Sequence, residues 1–577
     1  MNVRLSPAAA RWLCLLLLLP GQLLAQGPAP LPPDTTNPNR IHIIYADLLS
    51  YESRDGQGLQ KLIGRVQLRQ DSTYFFCDSA YYYEDINRME AFSRVRVEMP
   101  DSVYLYAKRI EYDGNTRIAE VYQNIRLTDT KSTLTTQRLT YDRNLDYGYY
   151  RGGGKLVDGE SVLTSQYGYY YPNEDKAYFK QQVVLTHPDY TLLTDTLAYN
   201  TETKVATFVT YTLIKSEDGD IETRSGTYDT EAGKVNLLAR STVRDTTYTL
   251  TADTLNYSDN NNLGLARGRV IVQENDSTLE IRGNYGLFNR ERKESMLTED
   301  PVAIQYFDDD TLYIFADTLM AVTLERTGWR GPAPDTLTEG TWYTDTAGLD
   351  SSLIRQLTPD TVEFRVFRAW KQVRFFMNQM QGRADSMVYR YDDSVIYLYQ
   401  APILWSEENQ LTGDTIAVWM KNNQADSLWV SNNCFLASEA DTVGYNQIKG
   451  QQMQAKFRDN QLSRLFVQGN SESIYFIKND ADTVRQSYQG MNKALSQAMR
   501  IEFEDNEVAI IVFLAKPEGT FFPMYEALQQ NAELEGLSWK IGQKPVRPVL
   551  APAETVPPGA PQAPPALAPP AAPLPPN

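Results

Sequence analysis

Along the first half of this chain a short phrase that opens on a polar residue and closes on tyrosine returns at a nearly constant interval. Asp47 to Tyr51, Asp78 to Tyr82, Lys108 to Tyr112, Gln137 to Tyr141, Gln166 to Tyr170, Asp195 to Tyr199, Arg224 to Tyr228 and Asp253 to Tyr257 stand in register. By subtraction, their tyrosines step by 31, 30, 29, 29, 29, 29 and 29 residues. A repeat of this size means a stacked array, because no unit can bury its apolar face alone and each must lay it against its neighbours. The usual allowance of about 100–200 residues per domain therefore does not apply, since the core of an array runs on without closing.

Within a unit the residues read strand, turn, strand, turn. Ala252-Asp253-Thr254-Leu255-Asn256-Tyr257 alternates and is β-prone, Ser258 to Asn262 supply turn chemistry, and Gly264 to Val272 resume the strand. Acidic turns such as Gln70-Asp71-Ser72 and Arg244-Asp245-Thr246 lead into the next unit. The second strand carries its own marker, two aliphatics separated by one residue: Val66 and Leu68, Val95 and Val97, Ile125 and Leu127, Val183 and Leu185, Val270 and Val272, Val302 and Ile304. Alternate strand residues share a face, so stacking turns these pairs into one apolar stripe, with Gln67, Arg96 and Arg126 pointing to water. The fold class that follows is all-β.

The phase drifts after Tyr257 and dissolves over residues 327–361, where Gly328, Gly331, Pro332, Pro334, Gly340, Gly348 and Pro359 mark an irregular insertion or hinge. The expected organisation is a signal peptide at 1–25, a first β array at 41–326, that insertion, a second β segment at 362–487, a terminal cap at 488–544 and a Pro/Ala-rich disordered tail at 545–577. Asp385 to Tyr389 and Asp414 to Val418, again 29 apart, carry the phrase into the second segment. A cap is expected because an array must not leave its last apolar layer open. Within it, Val508 to Leu514 reads as a buried strand, too short for a membrane span.

The N-terminus has the parts of an export signal: Arg4 and Arg11, the apolar run Trp12 to Leu19, and Leu23-Leu24-Ala25 as a cleavage site. No transmembrane segment is expected in the mature chain. Cys14 lies in the signal, and Cys77 and Cys434 stand too far apart for a disulfide framework, so two buried thiols are expected. A net charge of −18 argues against nucleic acid, whose phosphates call for an excess of Lys and Arg. His42 and His187 are the only histidines, too few for a metal cluster or repeated acid-base work. Arg151-Gly152-Gly153-Gly154 lacks the Lys-Ser/Thr of a phosphate loop. The expectation is no enzyme, no metal and no cofactor.

The array resembles the OstA-like family, which includes soluble lipopolysaccharide-transport proteins of the periplasm. Leu250-Thr251-Ala252-Asp253-Thr254-Leu255-Asn256-Tyr257 followed by Ala266-Arg267-Gly268-Arg269-Val270-Ile271-Val272 carries the resemblance best, and it covers roughly residues 41–324 and 382–476. It implies an elongated open β-jellyroll of two facing antiparallel sheets, with lipid acyl chains in the cleft. It further implies a periplasmic or outer-membrane-associated protein, lipopolysaccharide acyl chains as ligand, and other bridge proteins or copies of the chain as partners at the sheet edges. The twelve aliphatics of the marker pairs are then the candidate lipid groove.

Residue pattern alone leaves two roles open for that stripe, since two apolar faces close on a shared core about 10 Å thick unless something holds them apart. The tyrosine ladder through Tyr82, Tyr112, Tyr141, Tyr170 and Tyr199 can pack across strands or stack on sugar rings. An exported structural or adhesive fibre and a β-helix enzyme acting on polysaccharide are the rival classes. The enzyme would need Asp, Arg or Lys gathered on adjacent rungs, which no unit provides.

Overall fold

The computed structural model describes residues 40–550 apart from breaks at 55–56, 130, 218, 247, 259–260, 276–278, 308–309, 331–341, 344–350, 423, 441–442, 459–460, 480–487, 505–506 and 531. The signal peptide with Cys14, most of the expected insertion and the tail from 551 lie outside the described residues. Strand makes up 74% of the structure and helix 4%, which fits the all-β expectation. Two compact units divide the chain, residues 1–130 with 135–147, and residues 131–134 with 148–577.

Each long strand serves two sheets. In Gln57–Gln70 the first half pairs with Leu48–Arg54 and the second half with His42–Tyr45. Between the halves, Gly64 and Arg65 both have positive φ, 77° and 44°, and the ladder to Thr73–Tyr83 skips from Ile63 to Val66. Two successive left-handed residues turn the strand through a corner. The same pair recurs at Ser93-Arg94, Gln123-Asn124, Gly152-Gly153, Gln181-Gln182, Gly268-Arg269, Lys371-Gln372, Asn432-Asn433 and Gly469-Asn470. A non-glycine residue there costs roughly 1–2 kcal/mol, so something must repay the corner at every rung.

The polar residue that opens the repeated phrase does so. Asp47 lies opposite the first corner, its N–H donating to the Gly64 carbonyl at 2.9 Å and its carboxylate receiving Arg65 at 2.5 Å. Asp78 takes a bidentate grip from Arg94, and Asp253 the same from Arg269 with Arg240 added. These arginines hold the carboxyls of Asp78 and Asp253 below the usual range, the hydrogen bond to Arg94 or Arg269 being the main cause. Where the pair lacks arginine, amides substitute: Asn433 donates to Asp414, and the Asn124 N–H donates to Gln137.

Inside the fold the two sheets face one another. In the first unit the ladder aligns Leu68, Phe75, Val97, Leu105 and Leu127 across successive strands. In the second it aligns Leu163, Leu185, Leu192 and Ile214, and further on Leu250, Val272, Ile281, Ala303 and Ile314. From Tyr190–Asn200 to Leu263–Glu274 the two end strands belong to both sheets, and ten strands close into a ring.

The second unit differs from expectation in three places. Residues 327–330 and 358–361 are not irregular; they extend a long hairpin in which Thr318 to Arg330 pairs with Thr358 to Trp370. The ladder also runs through the region assigned to a cap, because Tyr488–Glu504 pairs with Gln461–Lys478 and then with Glu507–Leu514 and Glu518–Pro523. Among the described residues Glu507–Leu514 pairs along one side alone and is half exposed, with Ile510 at 51%, so it is an edge strand and not a buried one.

Residues 524–530 and 532–544 follow the last strand. They form a strap that packs against Phe435, Ala437, Ile474, Phe476 and Met491. Two fully buried glutamines hold it, Gln447 donating to the Ala532 carbonyl and accepting from the Leu534 N–H, and Gln410 doing the same for Ser538 and Lys540. Each amide thus offers one donor and one acceptor to alternate backbone groups, as a neighbouring strand would.

Candidate functional site

The candidate site is the trough between the sheets. Of the twelve marker aliphatics, Val66, Leu68, Val95, Val97, Ile125, Leu127, Val183, Leu185, Val270 and Val272 lie on strands just past a corner, and every one is at most 8% exposed. Val302 and Ile304 are buried too, but on the wrong face for the expected stripe. Ile281 pairs with both Val272 and Ala303, so Ala303 shares their face while Val302 and Ile304 point the other way. The cause is the corner at Glu299-Asp300, after which Pro301 takes the place of the first aliphatic and the branched residues fall one position late.

Burial of the stripe is what either role requires, because an apolar trough in water shuts on itself. Tyr82, Tyr112, Tyr141, Tyr170 and Tyr199 are likewise buried, alternating with small partners: Tyr112 faces Ala119, and Ala177 lies between Tyr170 and Tyr199. They pack; none of these five faces is open to a sugar ring. Burial raises the phenols of Tyr141, Tyr190 and Tyr199 and pushes Tyr150 up to about 12.

Sequence reasoning missed the margins of the trough, where the far ends of the two sheets are bridged. In the first unit Gln70, at the end of one sheet, donates to the Gly114 carbonyl of the other at 2.9 Å and accepts from the Tyr112 hydroxyl. Arg143 reaches both Gln70 and Tyr112, and Arg117 pairs with Asp71 at 2.6 Å. In the second unit Asp158 ends a strand of one sheet and receives Lys204 at 2.7 Å and the Tyr199 hydroxyl at 3.1 Å from the other. Lys131 with Asp175, the edge-to-face pair of Tyr190 and Tyr228, and Arg365 with Glu274 continue the series. At Tyr112 and Tyr199 the phrase tyrosine thus does two jobs, filling the interior with its ring and latching the mouth with its hydroxyl. Pairing partners some 40 residues apart left no local signal for this.

Toward the end of the second unit the packing between the sheets leaves a gap. A narrow slot with a cavity volume of about 40 Å³ lies between Leu404, Leu411 and Leu436 of one sheet and Leu428, Ala455 and Leu465 of the other. Its mouth is framed by Ser406, Glu407 and Asn409 against Phe457, Leu462 and Phe503. The ladder places Leu404, Leu411 and Leu436 on one face of their sheet.

The two thiols are placed at corners, Cys77 beside Asp78 and Cys434 beside Asn433; burial pushes both up to about 12, which leaves them unreactive. No group of three or more His, Cys, Asp or Glu among the described residues could hold a metal ion. No helix among them is long and apolar enough to cross a membrane.

Within each unit, antiparallel strands with apolar inner faces and bridged margins define an all-β, jellyroll-like architecture. Residues 38–195 match the family model described as OstA-like protein, which supports an OstA-like assignment for that segment. That family is one of lipid transport and binding in the cell envelope, and not of enzymes. No curated protein matches the chain.

Proposed function

We propose that this protein binds the acyl chains of lipopolysaccharide between its two sheets and passes them through the periplasm toward the outer membrane. The observation that carries the reading is the buried aliphatic pair that follows a corner in each unit of the OstA-like segment, Val66 with Leu68, Val95 with Val97 and Ile125 with Leu127 in the first unit and Val183 with Leu185 in the second. Val270 and Val272 extend the groove beyond the matched segment. Equivalent rungs suit a sliding carrier. A buried methylene contributes about 0.8 kcal/mol whichever aliphatic surrounds it, so the path along the trough is nearly level and direction must come from outside.

Opening the trough exposes the inner aliphatics, and an entering alkyl chain covers them again, so the exchange is close to neutral and the latches set its cost. Sheet edges supply the partner surface: Leu48, Leu49 and Tyr51 are exposed on one terminal strand, Ile510 and Phe521 on others. Such edges accept another strand, from a bridge protein or from a second copy.

A photo-reactive amino acid at Val95 or Val270 should label lipopolysaccharide in cells, whereas one at Arg96 or Arg126, on the outer face, should not. Equal labelling from both sets would defeat the reading.

A further inference from the structure

We propose that the slot between Leu411 and Leu428 is the port through which an acyl chain enters the second unit, and that the Asp158 and Glu274 bridges keep the earlier rungs of that unit shut until it does. This rests on the lipopolysaccharide-carrier reading and adds to it where loading begins.

Three observations support the assignment. First, the slot opens between the margins of the two sheets, the same boundary that Lys204–Asp158 and Arg365–Glu274 close elsewhere in the unit. Second, its walls are aliphatic and aromatic, and Glu407 is the one acidic side chain among its lining residues. A flexible alkyl chain needs no hydrogen-bond partner in such a slot, whereas a peptide would bury its backbone polar groups unpaired. Third, charges of both signs stand at the rim, Glu407, Glu408 and Glu504 together with two cations. Lys544 of the strap donates to the Glu407 carbonyl at 2.7 Å, and Arg458 lies exposed beside Phe457. A charged rim with hydrocarbon inside fits an amphiphile, here the phosphorylated glucosamine lipid to which the acyl chains are attached, its phosphates set toward Lys544 and Arg458.

Position matters as much as chemistry. The inner face of Leu404, Leu411 and Leu436 leads through Phe375 and Ile314 to Val272, so a chain admitted at the slot meets the rest of the inner row without crossing the outer surface. Each rung further on requires a bridge to part.

The test uses the full-length protein and lipid A carrying a diazirine on one acyl chain. After brief illumination, labelled peptides are mapped by mass spectrometry. The expected result is label on residues 404–412 and 457–465, and little on 190–200. Leu428→Trp, which fills the slot, should lower labelling about tenfold, the worth of roughly two buried methylenes. Leu238→Trp, an equal enlargement on the exposed surface away from the slot, should not, and Asp158→Ala should spread label to 190–200. Equal labelling of 190–200 and 404–412 in the unaltered protein overturns the port while leaving the carrier reading in place. Saturable binding of lipid A with unchanged labelling in Leu428→Trp overturns it as well. Absence of any binding or label overturns the carrier reading itself, and the port with it.

Discussion

Removing Lys204 should destabilise the second unit far more than removing its partner Asp158. The carboxylate is nearly sealed, with 3% of its side chain exposed, while the Lys204 side chain keeps 26%. Lys204→Met leaves a buried charge with the Tyr199 hydroxyl as its remaining partner, and breaking a buried pair this way costs about 3–5 kcal/mol. The surviving hydrogen bond brings the expected loss to the lower part of that range, about 3 kcal/mol. Asp158→Ala instead frees an ammonium that can turn to water, so its cost is that of a partly exposed pair and one hydrogen bond, about 1 kcal/mol. An array need not unfold in one step, and a global midpoint would blur the difference. Native-state hydrogen exchange on residues 190–200 and 205–208 reads the local opening directly, and about 3 kcal/mol corresponds to opening roughly 100-fold more frequent. Equal effects of the two substitutions, or less than about 0.5 kcal/mol for Lys204→Met, would refute the claim that this bridge holds the margins together.

The corner carboxylates should give the protein an acid limb. Asp78 and Asp253 have folded pKa values below their unfolded ones, so their contribution is present above the unfolded value and lost as pH falls through the folded one; Arg94→Gln and Arg269→Gln should therefore flatten the stability profile below about pH 4. Gln447→Leu should release the strap, leaving the Ala532 carbonyl and Leu534 N–H unpaired at about 1–3 kcal/mol each, and exchange should rise over residues 532–540 without a matching rise at 427–431. Cys77 and Cys434 should resist alkylation at pH 8 in the folded protein and react at once in denaturant; rapid reaction of either in the native state would contradict its burial.

The period, the strands and the apolar pairs were legible because they are local. Val66, Val95, Ile125, Val183 and Val270 all follow a corner directly, and the signal for the corner was present, two polar or glycine residues ahead of each aliphatic pair, as in Gly64-Arg65 and Gln181-Gln182. It passes for ordinary outward-facing strand sequence until φ is known. Val302 and Ile304 misled because Pro301 displaced the branched residues by one position while leaving the corner in place. Glu507–Leu514 misled because apolar content was taken for burial, and an edge strand can have the one without the other. The margins and the strap were out of reach, since Lys204 meets Asp158 across 46 residues and Gln410 meets Lys540 across 130, and neither pair announces itself in a local pattern.

The account depends on two sheets that part to admit hydrocarbon. Spin labels on opposite margins of the second unit, one at Glu160 and one at Glu202, report their separation by pulsed electron resonance. Adding lipid A should lengthen that distance by a few ångströms and broaden its distribution as the Asp158 bridge opens. An unchanged distance in protein shown to hold lipid A would contradict the account.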